Sequence, residues 1–291
     1  MSSNTSSGSS GQPAAAGTAG SIANANTAAG SGAAAAPSSS GTTSAAGSGG
    51  TPSTPAAGSG STAPGSCQGT LCESFEAGSG DALDPTWELS TANCMGTGTV
   101  TMDSTQAHTG TRSVRVNGGG GFCNHVFFRP KGWAATAPLY ARFFVRFEKP
   151  LTQSHVTFLA LHDDAEMKDV RMGGQSEILM WNRESDDATL PELSPTGIAL
   201  SAKPETGKWL CVELLIDGQT PKLETWLNGE PVKGLIVEGE PTPDVDAQWQ
   251  RKADWHPKLS DIRFGWESYG SDENTLWFDD VVLGTSRVGC N

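Results

Sequence analysis

Residues 170–182 read VRMGGQSEILMWN and carry a cation, an amide, a carboxylate and an indole in one short run. Sorted with period two, Arg171, Gln175, Glu177 and Trp181 fall on one side. Val170, Met172, Ile178 and Met180 fall on the other, as in a strand with one buried face. On the polar side, guanidinium, amide and carboxylate can pair with hydroxyls or with a carboxylate, and an indole can stack on the apolar face of a sugar ring. That is sugar-recognition chemistry. Gly173 on the same side is expected to leave space above the backbone for a ligand, and Gly174 behind it to mark a bulge.

Neighbouring runs repeat the asymmetry. YARFFVRF sets Arg142 and Arg146 against Ala141, Phe143, Val145 and Phe147. IRFGWESY sets Arg263, Glu267 and Tyr269 against Ile262, Phe264 and Trp266, and HVTFLALHD sets His155, Thr157 and Leu159 against Val156, Phe158 and Ala160. The expected substrate-contacting set is Arg142, Arg146, Glu177, Trp181, Arg263 and Glu267. Trp181, Trp249, Trp255 and Trp266 are the candidates for stacking on sugar, whereas Trp209, Trp226 and Trp277 read as packing residues.

The elements that must position these residues are strands. GTVTMDS, RSVRVNG, KWLCVELLIDG, KLETWLNGEPVKGL and TLWFDDVVLG alternate and are separated by Gly, Pro, Asn and Asp, the pattern of an all-β antiparallel sandwich. LNGE is a hairpin signal, because a type I′ turn needs positive φ at both central positions. PTPDVDAQWQRKADW holds the one plausible helical turn.

Residues 1–66 contain no charged and no aromatic residue, so they have little to bury against a backbone entropy of roughly 1–2 kcal/mol per residue. They read as a disordered low-complexity tether, and residues 67–291 as one monomeric domain. The net charge of −13 lies wholly within that domain and argues against nucleic acid or an anionic membrane as partner. No apolar run is long enough to span a bilayer. Met1 is followed directly by SSNTSSGSSG, with neither a basic nor an apolar leader region.

Six cysteines in the domain nevertheless suit disulfides and an oxidising compartment. An exported protein with a trimmed leader reconciles these facts: extracellular, periplasmic or anchored at the cell surface, where a lipid anchor would explain the tether. The expected pairing is Cys67–Cys290 closing the ends, Cys94–Cys123 joining early strands, and Cys72–Cys211 as the remainder.

CESFE, the Thr109, Gly110 and Ser113 strand entry, KWLCVELLIDG, LETWLNGE and the closing LWFDDVVLG together resemble concanavalin A-like jelly-roll proteins. The arrangement is similar to secreted polysaccharide lyases of the glucuronan and alginate type and their fungal relatives. The resemblance covers roughly Cys72 to Gly289 and also takes in non-catalytic carbohydrate-binding domains. It implies a polysaccharide on a concave sheet, with chemistry carried by an Arg, a Gln or Asn, a His and a Tyr. By type and face these are Arg171, Gln175, His155 and Tyr269. It also implies a structural calcium ion between first and last strands, held by Glu76 and Asp280, with Asp279 as the alternative to Asp280. The alginate-type Gln-Ile-His triplet is absent, and the only tyrosines are Tyr140 and Tyr269.

In a β-elimination, Arg171 and Gln175 would hold the sugar carboxylate, His155 would take the C5 proton and Tyr269 would protonate the leaving oxygen. A hydrolase of this fold would want two carboxylates on one face, and Glu177 and Glu184 are seven apart. No Gly-x-Ser-x-Gly elbow occurs. The sequence therefore leaves three classes: a lyase, a binding module and a ligand-free surface domain. A lyase needs His155, Arg171 and Tyr269 to converge, whereas a binding module needs a row of aromatics.

Overall fold

The computed structural model describes residues 67–91, 96–121 and 124–291. The expected tether and the Cys94–Cys123 pairing lie outside the described residues. In chain order the strands are β1 (Leu71–Glu73), β2 (Trp87–Ser90), β3 (Thr99–Asp103), β4 (Ser113–Gly118), β5 (Val126–Pro130), β6 (Leu139–Phe147), β7 (Val156–Asp163) and β8 (Lys168–Gln175). They continue with β9 (Ile178–Arg183), β10 (Ala188–Leu190), β11 (Trp209–Asp217), β12 (Lys222–Leu227), β13 (Glu230–Val237), β14 (Arg263–Ser268) and β15 (Asn274–Gly284).

They form two antiparallel sheets, the sandwich the alternation predicts. The back sheet runs β13-β12-β11-β6-β15-β4-β3, with β1 also paired to β15; the front sheet runs β10-β9-β8-β7-β14-β5-β2. Inward aromatics interdigitate between them: Phe143 of β6 meets Phe264 of β14 edge-on at 5.2 Å, and Phe147 meets Phe158 at 5.3 Å.

The LNGE turn is a hairpin, with Asn228 and Gly229 both at positive φ between β12 and β13. A second such turn interrupts the stretch expected to be one strand. Ser176 and Glu177 have φ of 54° and 67°, so VRMGGQSEILMWN is not one strand but the β8–β9 hairpin, with Gln175 opposite Ile178. The turn resets the phase. Met172 pairs with Trp181 and Arg171 with Asn182, so Trp181 shares the core face with Met172 instead of the polar face with Arg171. Trp181 is 0% exposed, and its Nε1 donates to Thr225 Oγ1 of the back sheet at 2.8 Å.

A bulge alters β7 as well. Thr157 pairs with Gly173 but Leu159 with Met172, so Phe158 and Leu159 both enter the core and Ala160 turns outward. A Cβ on Gly173 would collide with the Val156 carbonyl, so close backbone approach at this bulge demands the glycine; ligand space does not.

The helical turn appears as a short 3₁₀ segment, Trp249–Arg251. Helix α1 (Pro195–Leu200) was not foreseen, although Ser194 caps it with Pro195 at its start. The disulfides differ from expectation: Cys67 bonds Cys72 and Cys211 bonds Cys290, not Cys67–Cys290 and Cys72–Cys211. Residue Cys67 precedes β1 closely enough to close a local loop, while Gly289 and Cys290 follow Arg287 onto buried Glu213 of β11. That path carries Cys290 to Cys211 on the same strand.

Candidate functional site

The outer face of the front sheet collects side chains from β5, β14, β7, β8 and β9. Glu267 stands opposite Thr157, Thr157 opposite Gly173, and Arg171 opposite both Ala160 and Asn182. His155 precedes β7 and Tyr269 follows β14, joined by a backbone hydrogen bond from Tyr269 N to His155 O at 3.1 Å. Ladder register therefore brings together four of the expected residues: His155, Arg171, Glu267 and Tyr269.

The Tyr269 phenol is stacked on the His155 imidazole, and the Arg171 guanidinium lies 5.2 Å from the phenol ring centre. Arg171 Nη1 donates to the Tyr269 oxygen. Its Nε donates to Asn182 Oδ1 at 3.1 Å, and Nη2 donates to the same oxygen. Asn182 Nδ2 passes the chain on to Asp187 Oδ1 at 2.9 Å. On the other flank His125 Nδ1 lies 3.2 Å from Glu267 Oε1. Asn182, Asp187 and His125 are site residues that the strand patterns did not single out. Asn182 becomes legible once the hairpin is recognised, because it is then Arg171's cross-strand partner.

Burial, followed by the adjacent Arg171 charge, pushes the His155 imidazole down to about 4, so it is neutral near pH 7. Its Nε2 is buried and finds no hydrogen-bond partner among the described residues. Tyr269 is held above its ordinary value by burial first; Arg171 opposes the shift and the Glu267 charge adds to it. The site thus contains a neutral base, a fixed cation and a phenol that keeps its proton. Tyr269 is also 39% exposed, which leaves it open to a ligand.

Other expected residues lie elsewhere. Arg142 and Arg146 sit on β6 in the back sheet, over the Phe144 and Trp277 rings, because β6 pairs with β11 and β15 and not with β7. Glu177 sits in the hairpin turn, bonded to Lys203 at 2.6 Å and Gln153 at 3.0 Å. Arg263 shares the front sheet but is saturated by Asp169 at 2.6 Å and Asp261 at 3.2 Å. Gln175 ends β8 on the Arg171 face, one step past the Gly174–Val156 pair. The stacking tryptophans fail as a group, since Trp181, Trp249, Trp255 and Trp266 are all buried.

Glu76 and Asp280 both grip the loop before β4. Glu76 accepts from Thr111 N, Arg112 N and Thr111 Oγ1 at 2.8–3.0 Å, and Asp280 accepts from Thr109 Oγ1 at 2.8 Å, with His108 Nδ1 at 2.6 Å. All four of these carboxylate oxygens are thus engaged by groups of that loop, although their oxygen chemistry is of the type calcium takes. The remaining donor cluster, Cys211, Glu213 and Cys290, is a disulfide with a carboxylate beside it.

Residues 74–286 match the sequence model of a polysaccharide lyase-like family described as the Cip1-like core domain. Among solved structures, one named cellulose induced protein, Cip1, is 42% identical with a TM-score of 0.71, covering 76% of this chain and 100% of its own. An endo-β-1,4-glucuronan lyase from the fungus Trichoderma reesei is 14% identical with a TM-score of 0.45, over 75% of this chain and 96% of its own. A comparison with curated proteins returns no match.

Proposed function

The chain belongs to the Cip1-like polysaccharide lyase-like family, and from that premise we propose that its front sheet binds a uronic-acid polymer and cleaves it by β-elimination. The observation that carries this reading is the convergence of His155, Arg171 and Tyr269 on one face. Arg171 neutralises the sugar carboxylate, which makes the C5 proton acidic. His155, neutral near pH 7, takes that proton, and Tyr269 protonates the departing O4. Gln175 lies along the same face as a further carboxylate or hydroxyl contact. A non-catalytic binding module would want exposed aromatics in a row, and the buried tryptophans do not supply one.

The family and the disulfides support an extracellular protein. No helix among the described residues is long and apolar enough to cross a membrane. In the same proposal, Glu76 and Asp280, with the Thr109 and Thr111 hydroxyls, hold a calcium ion that ties the β4 approach to β15. Its role is structural. Added calcium is then expected to raise the melting temperature, and Glu76→Gln to abolish the rise; an equal melt in chelator and in calcium removes the ion from the account.

The deciding experiment follows the ultraviolet absorbance of the unsaturated uronide on glucuronan, alginate, pectate and neutral glucans. A signal on one polyuronate that His155→Ala and Arg171→Ala both abolish is the expected result. Retention of the protein on a polymer without any new absorbance would make it a binding module instead.

A further inference from the structure

We propose that Glu267 is a positioning residue for Tyr269: its carboxylate holds the phenol hydroxyl and keeps that proton in place for the leaving oxygen. The inference rests on the lyase reading of the same face and assigns Glu267 a task other than the sugar contact its sequence pattern implies.

Glu267 and Tyr269 are two residues apart at the end of β14 and so project from the same face. Glu267 is only 9% exposed, with Thr157 across the ladder on one side and the buried His125 ring on the other. A carboxylate so enclosed is costly unless it is paired, and it adds negative charge where an anionic sugar is to bind. The His125 ring at 3.2 Å pairs it on one flank, and sugar recognition alone gives no further reason to keep it there.

Tyr269 gives one. Arg171 donates to the phenol oxygen and by itself favours loss of the phenol proton. A phenolate has no proton to give. Burial opposes that loss most, and Glu267 adds to the opposition by charge and as an acceptor for the O–H. Glu184 adds to the same side more remotely, whereas Asp187 acts chiefly on His155. Arg171 therefore aims the oxygen, and Glu267 keeps it protonated.

In the step itself the C5–H bond breaks to His155, and its electron pair forms the C4–C5 double bond. The C4–O4 bond breaks as that double bond forms, and O4 takes the Tyr269 proton. His155 afterwards loses its proton to water, and Tyr269 regains one from water.

The chain has two tyrosines, Tyr140 and Tyr269, so alkaline tyrosinate absorbance can count them. The wild-type protein is expected to show one tyrosinate equivalent before far-ultraviolet circular dichroism reports unfolding. Glu267→Gln, which keeps shape but removes charge, is expected to show two, and adding Tyr269→Phe should return the count to one. The alkaline limb of its kcat/KM profile should also move to lower pH. Should the Gln protein not fold, Glu267→Asp provides the same count with the carboxylate drawn back from the hydroxyl. A wild-type protein that already shows two equivalents, or folded Gln and Asp variants that show one, overturns the assignment. If the second tyrosinate appears but the wild-type protein turns over no polymer, the lyase reading falls while the hold on the Tyr269 proton stands.

Discussion

The imidazole of His155 lies face to face with the phenol of Tyr269, ring centroids 4.8 Å apart and planes 9° from parallel. With the roles proposed above, base and acid would approach a bound sugar from the same side. Elimination from such a site removes the C5 proton and O4 from one face of the ring.

That stereochemistry is testable on the substrate. Glucuronan and mannuronan place C5–H and C4–O on the same face, and their C5 epimers place them on opposite faces. The protein is expected to cleave the first kind and to leave guluronan intact, read as ultraviolet absorbance on matched polymers. Equal rates on both epimers would separate the acid from the base in space and contradict the stacked pair.

If His155 is the base, as proposed, it sets the acid limb of the pH profile. Its folded pKa of about 4 lies below the ordinary histidine value, so kcat/KM should rise with pH through about 4 and then level. His155→Gln should lower the rate roughly 10²–10⁴-fold without moving the melting temperature at neutral pH. The same depressed pKa contributes stability that is present above the unfolded value and lost as pH falls through the folded one. The melting temperature of the Gln variant should therefore fall less on acidification than that of the wild type.

Trp181 distinguishes core from sugar platform. Trp181→Phe removes the hydrogen bond to Thr225 and leaves that buried hydroxyl unpaired, a cost of about 1–3 kcal/mol in denaturant unfolding. Polymer affinity should be unchanged. A loss of affinity at constant stability would put the indole back on the binding face.

The two disulfides should differ in worth. Cys211–Cys290 spans 79 residues and Cys67–Cys72 only 5, and loop-closure entropy grows with the logarithm of the span. Replacing the long-range pair by serines is expected to cost about 2–4 kcal/mol, and the short one less. Equal losses would point to strain or packing in place of chain entropy.

Much of this was legible in the sequence, and what was not has specific causes. Alternation identified the sandwich, and the inward sets of β6 and β14 were correctly assigned. His155, Arg171, Glu267 and Tyr269 were named, and ladder register brings them together. Their roles rest on chemistry that the structure makes possible.

The failures come from phase and from pairing. Period two propagates across a turn as though the strand continued, so Ser176 and Glu177, neither of them glycine, concealed a hairpin and sent Trp181 to the wrong face. Arg142 and Arg146 have the right alternation, but alternation does not say which sheet a strand joins. Cysteine partners depend on that same long-range pairing.

The extra residue in β7 makes the site a matter of parity as well as identity. Because Phe158 and Leu159 both point inward, deleting Phe158 would restore a regular strand with His155 and Thr157 still facing out. The loss would be a ring from the core. Deleting Val156 would instead turn His155 into the sandwich, with every site side chain still present in the sequence. Counting residues between the base and the bulge, and not only matching their types, is therefore the way to judge whether a related chain can use its histidine.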